Sequence, residues 1–249
     1  MVKILNCIKI YFREKVGLKI INGNIFTSKC QTIVNTVNCV GVMGAGIALE
    51  CRLRYPEMHE KYIRLCNEKL LDIGLLWVYK SPERWILNFP TKIHWKYPSK
   101  KEYLHAGLKK FLNTFQQKGI QSIAFPLLGA DKGGIPQDES LLIMTSYLED
   151  VDLEVEIYKY DANAKDDLYD KTKEWLLTRE IEYITKSTGL RKDYVVKVID
   201  AIQSSKIVQI NQLAREKGIG IKTLEKIFAV SSNSISMNSS KKVVQQTLF

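Results

Sequence analysis

Two patterns of apolar residues alternate along the first two thirds of the chain. Short β-branched or aromatic runs that end near Gly, Asn or Pro predict strands, and longer stretches with apolar residues three or four positions apart predict helices. Strands alternating with helices are typical of an α/β domain with a parallel or mixed sheet. The predicted strands are 18–23, 32–38, 75–80, 84–90, 122–127 and 155–160, and the predicted helices are 47–70, 101–118 and 137–148.

The pattern changes after residue 163, where only helical spacing remains. We therefore predict a first domain over 1–163, a helical C-terminal module over 164–230 and a flexible Ser/Asn-rich tail over 231–249. Within the module, 207–228 has the spacing of two helices around a Gly-containing turn. That arrangement indicates either a DNA-binding helix-turn-helix or a surface that docks a partner protein. Its predicted helices are 169–186, 192–204, 209–216 and 222–228.

Two glycine-rich turns each join a predicted buried strand to a predicted helix. The first contains Gly41, Gly44 and Gly46, and the second contains Gly129, Gly133 and Gly134. Glycines let a ligand approach backbone N–H groups, and a helix N-terminus attracts anions, so such turns suit phosphate. The first turn is not a Walker loop, because no Lys-Ser or Lys-Thr follows, and it lacks the dinucleotide-binding spacing. Tight packing in a turn is the alternative for either loop taken alone.

Four motifs in order carry a resemblance to a known family: GNIF, IVNTVNCVGVMGAGIA, NFPTKIHW and PLLGADKGGI. Over residues 17–160 the chain resembles the macrodomains, specifically the branch with the DarG antitoxins and the human terminal ADP-ribose glycohydrolase. This resemblance implies a three-layer α/β/α sandwich with a mixed central sheet, here followed by a small all-helical C-terminal region. It also implies that the glycine loops bind ADP-ribose.

The resemblance implies a set of ADP-ribose-binding residues on three loops. The position of Asn24 lies near the adenine, that of Asn38 faces the distal ribose, and the two glycine loops enclose the diphosphate. For Asn38, closing the turn is the alternative role. The expected ligand-binding residues are Asn22, Asn24, Ile25, Asn38, Val42, Met43, Gly44, Ala45, Gly46, Ile47, Leu128, Gly129, Ala130, Lys132, Gly133, Gly134 and Ile135.

Two residues are candidates for catalysis. Lys92 matches the lysine that catalytic members of this branch place beside the distal ribose, and a lysine with a destabilised ammonium can attack or protonate there. Asp131 is the acid of the second loop, but it stands two positions before the acid of the human member, where this chain has Gly133. Asp131 is thus either catalytic or the cap of its own turn.

The segment after Lys92 combines basic and aromatic residues. Lysines neutralise phosphates and aromatic rings stack on bases, so His94, Trp95, Lys96 and Tyr97 predict a nucleic-acid contact. The resemblance to DarG indicates removal of ADP-ribose from thymidine in DNA. The alternatives are a non-catalytic ADP-ribose reader, or a hydrolase of ADP-ribosylated protein or O-acetyl-ADP-ribose.

The composition indicates which partners, cofactors and location to expect. The chain has 249 residues and a formal net charge of +10, which favours anionic partners such as DNA. The five scattered cysteines indicate reduced thiols, and we expect no metal site and no cofactor. We find no apolar run long enough for a membrane span and expect a cytoplasmic protein.

Two further partners are expected besides the ADP-ribosylated substrate. The DarG resemblance implies a cognate ADP-ribosyltransferase toxin. The final residues QQTLF resemble the peptides that bind the bacterial sliding clamp, where a mobile segment inserts two apolar side chains into a pocket.

Overall fold

The computed structural model describes residues 17–231, and its centre is a six-stranded sheet. Residues 232–249, which include QQTLF, and Cys7 lie outside the described residues, whereas Ser231, the first residue of the predicted tail, is buried in a helix. The strand order is β1-β6-β5-β2-β4-β3, with every pair parallel except β3 and β4, so the sheet is mixed as predicted. The strands are β1 (Leu18–Gly23), β2 (Thr32–Asn38), β3 (Trp77–Lys80), β4 (Trp85–Lys92), β5 (Ser122–Pro126) and β6 (Glu154–Tyr160).

Helices cover both faces of the sheet because successive strand residues point to opposite sides. In β5, Ile123 and Phe125 enter the core under the third and fourth helices, and Ala124 enters the core under the first two. The fold is therefore the three-layer sandwich that the sequence predicts. These helices are α1 (Gly46–Arg54), α2 (Pro56–Asn67), α3 (Lys101–Lys118) and α4 (Gln137–Leu148).

The predicted single helix 47–70 is wrong, because the structure has two helices there. Tyr55 separates α1 from α2, and Pro56 is the first residue of α2. Proline lacks the N–H that an uninterrupted helix needs, but it suits the first position of a new one.

The C-terminal region is entirely helical within the described residues, as predicted. Thr178 and Glu180 cap the two helices that replace the predicted helix 169–186, and the predicted helix 209–216 is only one turn long. The helices are α5 (Asp167–Leu177), α6 (Ile181–Thr188), α7 (Lys192–Gln203), α8 (Ile210–Leu213) and α9 (221–231).

Helix α1 belongs to two hydrophobic cores. Its residue Cys51 packs under the sheet, whereas Leu49 and Leu53 pack with the C-terminal helices. Charged contacts join the same surfaces: Arg52 Nε is 2.7 Å from Glu225 Oε1. The C-terminal region therefore packs directly on the first domain. The predicted boundary near residue 163 is the point where the sequence pattern becomes purely helical, and hydrophobic packing continues across it.

The structure offers little support for a DNA-binding helix-turn-helix in the C-terminal region. Leu224 and Ile227 are buried in the C-terminal core, and the two charges beside them serve internal contacts: Glu225 pairs with Arg52 and Lys226 donates to the Gly189 carbonyl. No helix among residues 17–231 is long and apolar enough to cross a membrane.

Candidate active site

Loops from five strands meet at one edge of the sheet. β1, β2, β4, β5 and β6 are mutually parallel neighbours, so their carboxyl ends share that edge. A cavity of about 550 Å³ opens there. Ligands of α/β proteins bind in crevices outside the carboxyl ends of strands. This cavity is accordingly the candidate site.

The first glycine loop is braced by Asn38. Its Oδ1 accepts from the N–H groups of Val40 and Val42 and from the Tyr62 hydroxyl, and its Nδ2 donates to the Val42 carbonyl at 2.6 Å. Asn38 is 7% exposed. Its side chain holds the turn in shape, which is the alternative role named above, and its oxygen is committed to protein donors.

The loop leads into an uncapped helix N-terminus at the cavity. Gly46 has φ +56°, a conformation that favours glycine, and Ala45 provides no side-chain cap. Leu49 N–H is the first to donate back within α1, to Ala45 O at 3.2 Å. The N–H groups before it have no intrahelical acceptor and sit in the cavity wall, where an anion can accept from them.

The second glycine loop closes the opposite side of the cavity. Gly129 has φ +65°, and a Cβ there would lie 2.8 Å from Ile135 Cδ1. The loop backbone forms a tight turn, in which the Gly133 N–H donates to the Ala130 carbonyl at 2.7 Å. Only glycine fits at 129 without strain, so the loop backbone itself forms the wall of the cavity.

Lys92 lies between the two loops. It is the last residue of β4, it pairs with Asn38 of β2, and its Nζ donates across the cavity wall to the Lys132 carbonyl. Burial, and then the neighbouring Lys132 ammonium, lower the pKa of Lys92. Both causes disfavour the charged form and increase the fraction of neutral amine at a given pH.

Asp131 also lines the cavity, and its backbone is unusual. Its φ of 41° is positive for a non-glycine residue, and it begins the 3₁₀ turn Asp131–Gly133. Within residues 17–231 no ion pair joins Asp131 to Lys92. Its part in catalysis stays a prediction.

Most of the residues expected to bind ADP-ribose line this cavity. Asn24 is one of them, although its Oδ1 accepts from Phe26 N–H and its Nδ2 donates to the Lys165 carbonyl. The expected residues on the cavity wall are Asn24, Ile25, Asn38, Val42, Gly44, Ala45, Gly46, Ile47, Gly129, Ala130, Lys132 and Gly133, together with Lys92, Trp95 and Asp131.

Five expected ligand residues lie off the cavity wall. Asn22 is exposed on β1, Met43 and Leu128 are fully buried, and Ile135 packs into the main core. Gly134 provides the left-handed backbone, φ +82°, that ends the loop. Met43, Leu128 and Ile135 therefore support the loops from behind, a role that depends on three-dimensional packing and is invisible in a linear motif.

The four residues predicted to contact nucleic acid form one exposed cluster beside Lys92. The ring of His94 stacks on Trp95 with centroids 5.6 Å apart and lies 5.4 Å from the ring of Tyr97. Lys96 Nζ lies 5.2 Å from the Trp95 ring centroid. Trp95 and Tyr97 are 48% and 64% exposed. We call these residues the aromatic-basic cluster.

Sequence reasoning missed several polar wall residues, among them Glu50, Tyr160, Asn211 and Arg215. Tyr160 ends β6, so the general rule about strand ends was a usable signal for it. Glu50 is the fifth residue of α1, and burial raises its pKa to about 7, against the lowering effect of Arg54. Nothing in the sequence connects Asn211 and Arg215 to this cavity.

Residues 34–144 match the family model described as "Macro domain". A solved structure, the macrodomain of Thermus aquaticus DarG, is 39% identical, covers 57% of this chain and 97% of that chain, and has a TM-score of 0.54. The chain belongs to the macrodomain family.

Two further comparisons concern larger proteins. A curated DNA ADP-ribosyl glycohydrolase of Thermus aquaticus is 38% identical over 153 residues, which are 59% of this chain and 42% of the relative. The structure of Thermosipho africanus DarTG in complex with ADP-ribose is 30% identical, with a TM-score of 0.56, and covers 60% of this chain and 43% of that one. The chain thus spans less than half the length of these two relatives.

Proposed function

We propose that this chain is an ADP-ribosyl glycohydrolase that removes ADP-ribose from modified DNA, as the name of the Thermus aquaticus relative suggests. The position of Lys92 carries the proposal. A module that only reads ADP-ribose needs the two glycine loops but has no use for a half-buried amine between them. The lowered pKa of Lys92 suits a nucleophile.

The cavity suggests how ADP-ribose lies in it. The diphosphate would accept from the N–H groups at the start of α1 and from the second glycine loop. Lys92 ends β4, on one side of β2 in the strand order, whereas Asn24 follows β1 and Tyr160 ends β6 on the other side. The distal ribose belongs beside Lys92, and the AMP half therefore belongs beside Asn24 and Tyr160.

Lys92 then has a direct part in breaking the glycosidic bond. Its neutral amine attacks the anomeric carbon of the distal ribose while the bond to the thymine nitrogen breaks, and the base leaves with that bond's electron pair and takes up a proton. Water then releases ADP-ribose from the lysine. The amine must be unprotonated for the first step, so the environment that lowers its pKa promotes the reaction.

The aromatic-basic cluster supports DNA as the acceptor. Trp95 belongs to both the cluster and the cavity wall, so a strand held by the cluster would be adjacent to the modified base. Exposed rings can stack on neighbouring bases, and Lys96 can neutralise a phosphate. The net charge of +10 acts in the same direction.

The remaining partner and location predictions rest on less. A cognate ADP-ribosyltransferase toxin agrees with the likeness to DarTG, and the cytoplasmic location and the sliding-clamp contact stay predictions from sequence. The alternatives, an ADP-ribose reader and a hydrolase of protein or O-acetyl-ADP-ribose, differ in the product released from each substrate.

The test compares acceptors. We expect the protein to release free ADP-ribose from a single-stranded oligonucleotide carrying it on one thymidine, and to leave it on a protein modified on glutamate. Release from neither substrate, with ADP-ribose still bound, would establish the reader. Release from the protein substrate alone would overturn DNA as the acceptor.

The aromatic-basic cluster has its own variant. Tyr97 is exposed and lies off the cavity wall, so Tyr97→Ala should raise KM for the oligonucleotide about tenfold, the value of one lost stacking contact. ADP-ribose affinity should stay unchanged. Tyr183→Ala, which removes a 51% exposed aromatic ring from α6, is the matched control. An equal KM for both variants would place the strand elsewhere.

A further inference from the structure

The C-terminal region reaches the cavity of the macrodomain. Asn211 in α8 and Arg215 in the following turn line the same cavity as Asn24, Tyr160 and Lys92. Both residues lie outside 34–144, the part of the chain that the family model matches. A wall built from the C-terminal region is therefore a property of this chain beyond that match.

Helix α8 is fixed in place by a network of hydrogen bonds. Gln209 donates from Nε2 to the carbonyls of Asp161 and Ala164, each at 2.8 Å, and accepts from the Tyr160 hydroxyl at 2.7 Å. Asp166 accepts from the Ile210 N–H at 3.0 Å. These bonds tie the start of α8 to the end of β6, so the turn after it has a defined position at the cavity.

Asn211 is anchored through one end of its amide only. Its Nδ2 donates to Glu50 Oε2 at 3.0 Å, and its buried Oδ1 has no hydrogen-bond partner among residues 17–231. Asn211 is 8% exposed. A buried acceptor without a donor is unfavourable, and Asn211 lies on the cavity wall, so a donor supplied from the cavity would stabilise this oxygen.

Arg215 adds a guanidinium whose donors are unused. It is exposed, and within residues 17–231 it makes no ion pair and no side-chain hydrogen bond, although its charge acts on Tyr160. An arginine presents five N–H donors in a planar fork that suits phosphate, and its flat face stacks on aromatic rings. Its partner should therefore be an anion or a purine in the cavity.

We infer that Arg215, held beside Asn211 at the Tyr160 end of the cavity, binds the AMP half of ADP-ribose. The inference rests on the proposed function, because that function places the distal ribose at Lys92, on the opposite side of β2. Arg215 donates to the adenosine-side phosphate or covers the adenine, while the ring of Tyr160, 51% exposed, provides a second surface for the base. The C-terminal region is then part of the substrate site.

The experiment measures affinities of the full chain for ADP-ribose and AMP by titration calorimetry. Arg215→Met keeps the length of the side chain and removes its donors, and Lys217→Met, at an exposed residue off the cavity wall, is the control for a lost surface charge. We expect Arg215→Met to weaken both ligands by the same factor, about tenfold or more. Lys217→Met should bind both as the native protein does.

Other outcomes separate the two proposals. Native-like affinities for Arg215→Met would overturn the role of Arg215 and leave the proposed function intact. A loss for ADP-ribose without a loss for AMP would also overturn it, because the arginine would then contact the distal half. Absence of ADP-ribose binding by the native protein would contradict both proposals.

Discussion

At the scale of single residues, the environment of Lys92 should be visible in the pH dependence of activity. If its neutral amine is the nucleophile, kcat/KM rises with pH to a plateau, with an apparent pKa below the ordinary value for lysine. Lys132→Met removes the neighbouring charge that helps to lower this pKa. The rising limb should therefore move to higher pH in Lys132→Met. An unmoved limb would show that the pH profile does not report the titration of Lys92.

The same scale shows what a sequence can predict about a site. Lys92 and the glycine loops were predictable because a motif fixes backbone positions. The roles of Asn24 and Asn38 were harder to predict, because their side-chain amides form hydrogen bonds with protein partners such as Lys165 and Tyr62. Which polar atoms remain free for a ligand depends on hydrogen bonds between distant segments.

At the scale of elements, helix α1 connects the candidate cavity with the C-terminal helices. Arg54 has a side chain only 14% exposed, and it binds Glu50 at 2.9 Å, Asp167 at 3.1 Å and Asp166 at 3.3 Å. Arg54→Met should lower the free energy of unfolding by roughly 3 kcal/mol at pH 8, because it leaves buried carboxylates unpaired. Arg191→Met removes a pair with Asp193 in which both side chains are mostly exposed, and should cost less than about 1 kcal/mol.

This effect should shrink in acid. Without Arg54, protonation of Glu50 removes the unpaired charge, so the cost of Arg54→Met should be smaller at pH 5.5 than at pH 8. Urea unfolding of both proteins at pH 5.5 and pH 8 measures this difference in the free energy of unfolding. An equal cost at the two pH values would show that the titration of Glu50 does not contribute to this cost.

A second element-scale prediction concerns the contact between α3 and the sheet. A Cβ on Gly107 would lie 2.1 Å from the Phe89 ring, so Gly107→Ala forces the helix and sheet apart. We expect the free energy of unfolding to fall by about 1–3 kcal/mol despite the better helix propensity of alanine. Gly220→Ala has open space around the new methyl group and is the control. Equal stability of the two variants would contradict this packing.

At the scale of the whole molecule, the first domain and the C-terminal region should unfold together. Leu49 and Leu53 of α1 belong to the C-terminal core, so neither part keeps its core when the other unfolds. Calorimetry should show a single unfolding transition, and ADP-ribose should raise its midpoint temperature without splitting it. Two transitions, with only one moved by ADP-ribose, would contradict a shared core.

The whole-molecule view also explains which part of the fold was predictable. Periodicity located all six strands and the order of helical and mixed regions, because each element follows its own local pattern. The packing of α8 against Tyr160 and Glu50 depends on contacts between residues far apart in the chain. A change of pattern near residue 163 therefore looked like a division, whereas in three dimensions the two sides share α1.

In the proposed mechanism, Lys92 performs the chemistry in a site that other residues build. The most direct test measures ADP-ribose release from the thymidine-modified oligonucleotide by native protein, Lys92→Ala and Lys109→Ala, which removes an exposed lysine from α3. Release should fall about 100-fold or more in Lys92→Ala alone, with ADP-ribose still bound. Native-like release by Lys92→Ala would contradict the assignment of Lys92 as the catalytic residue.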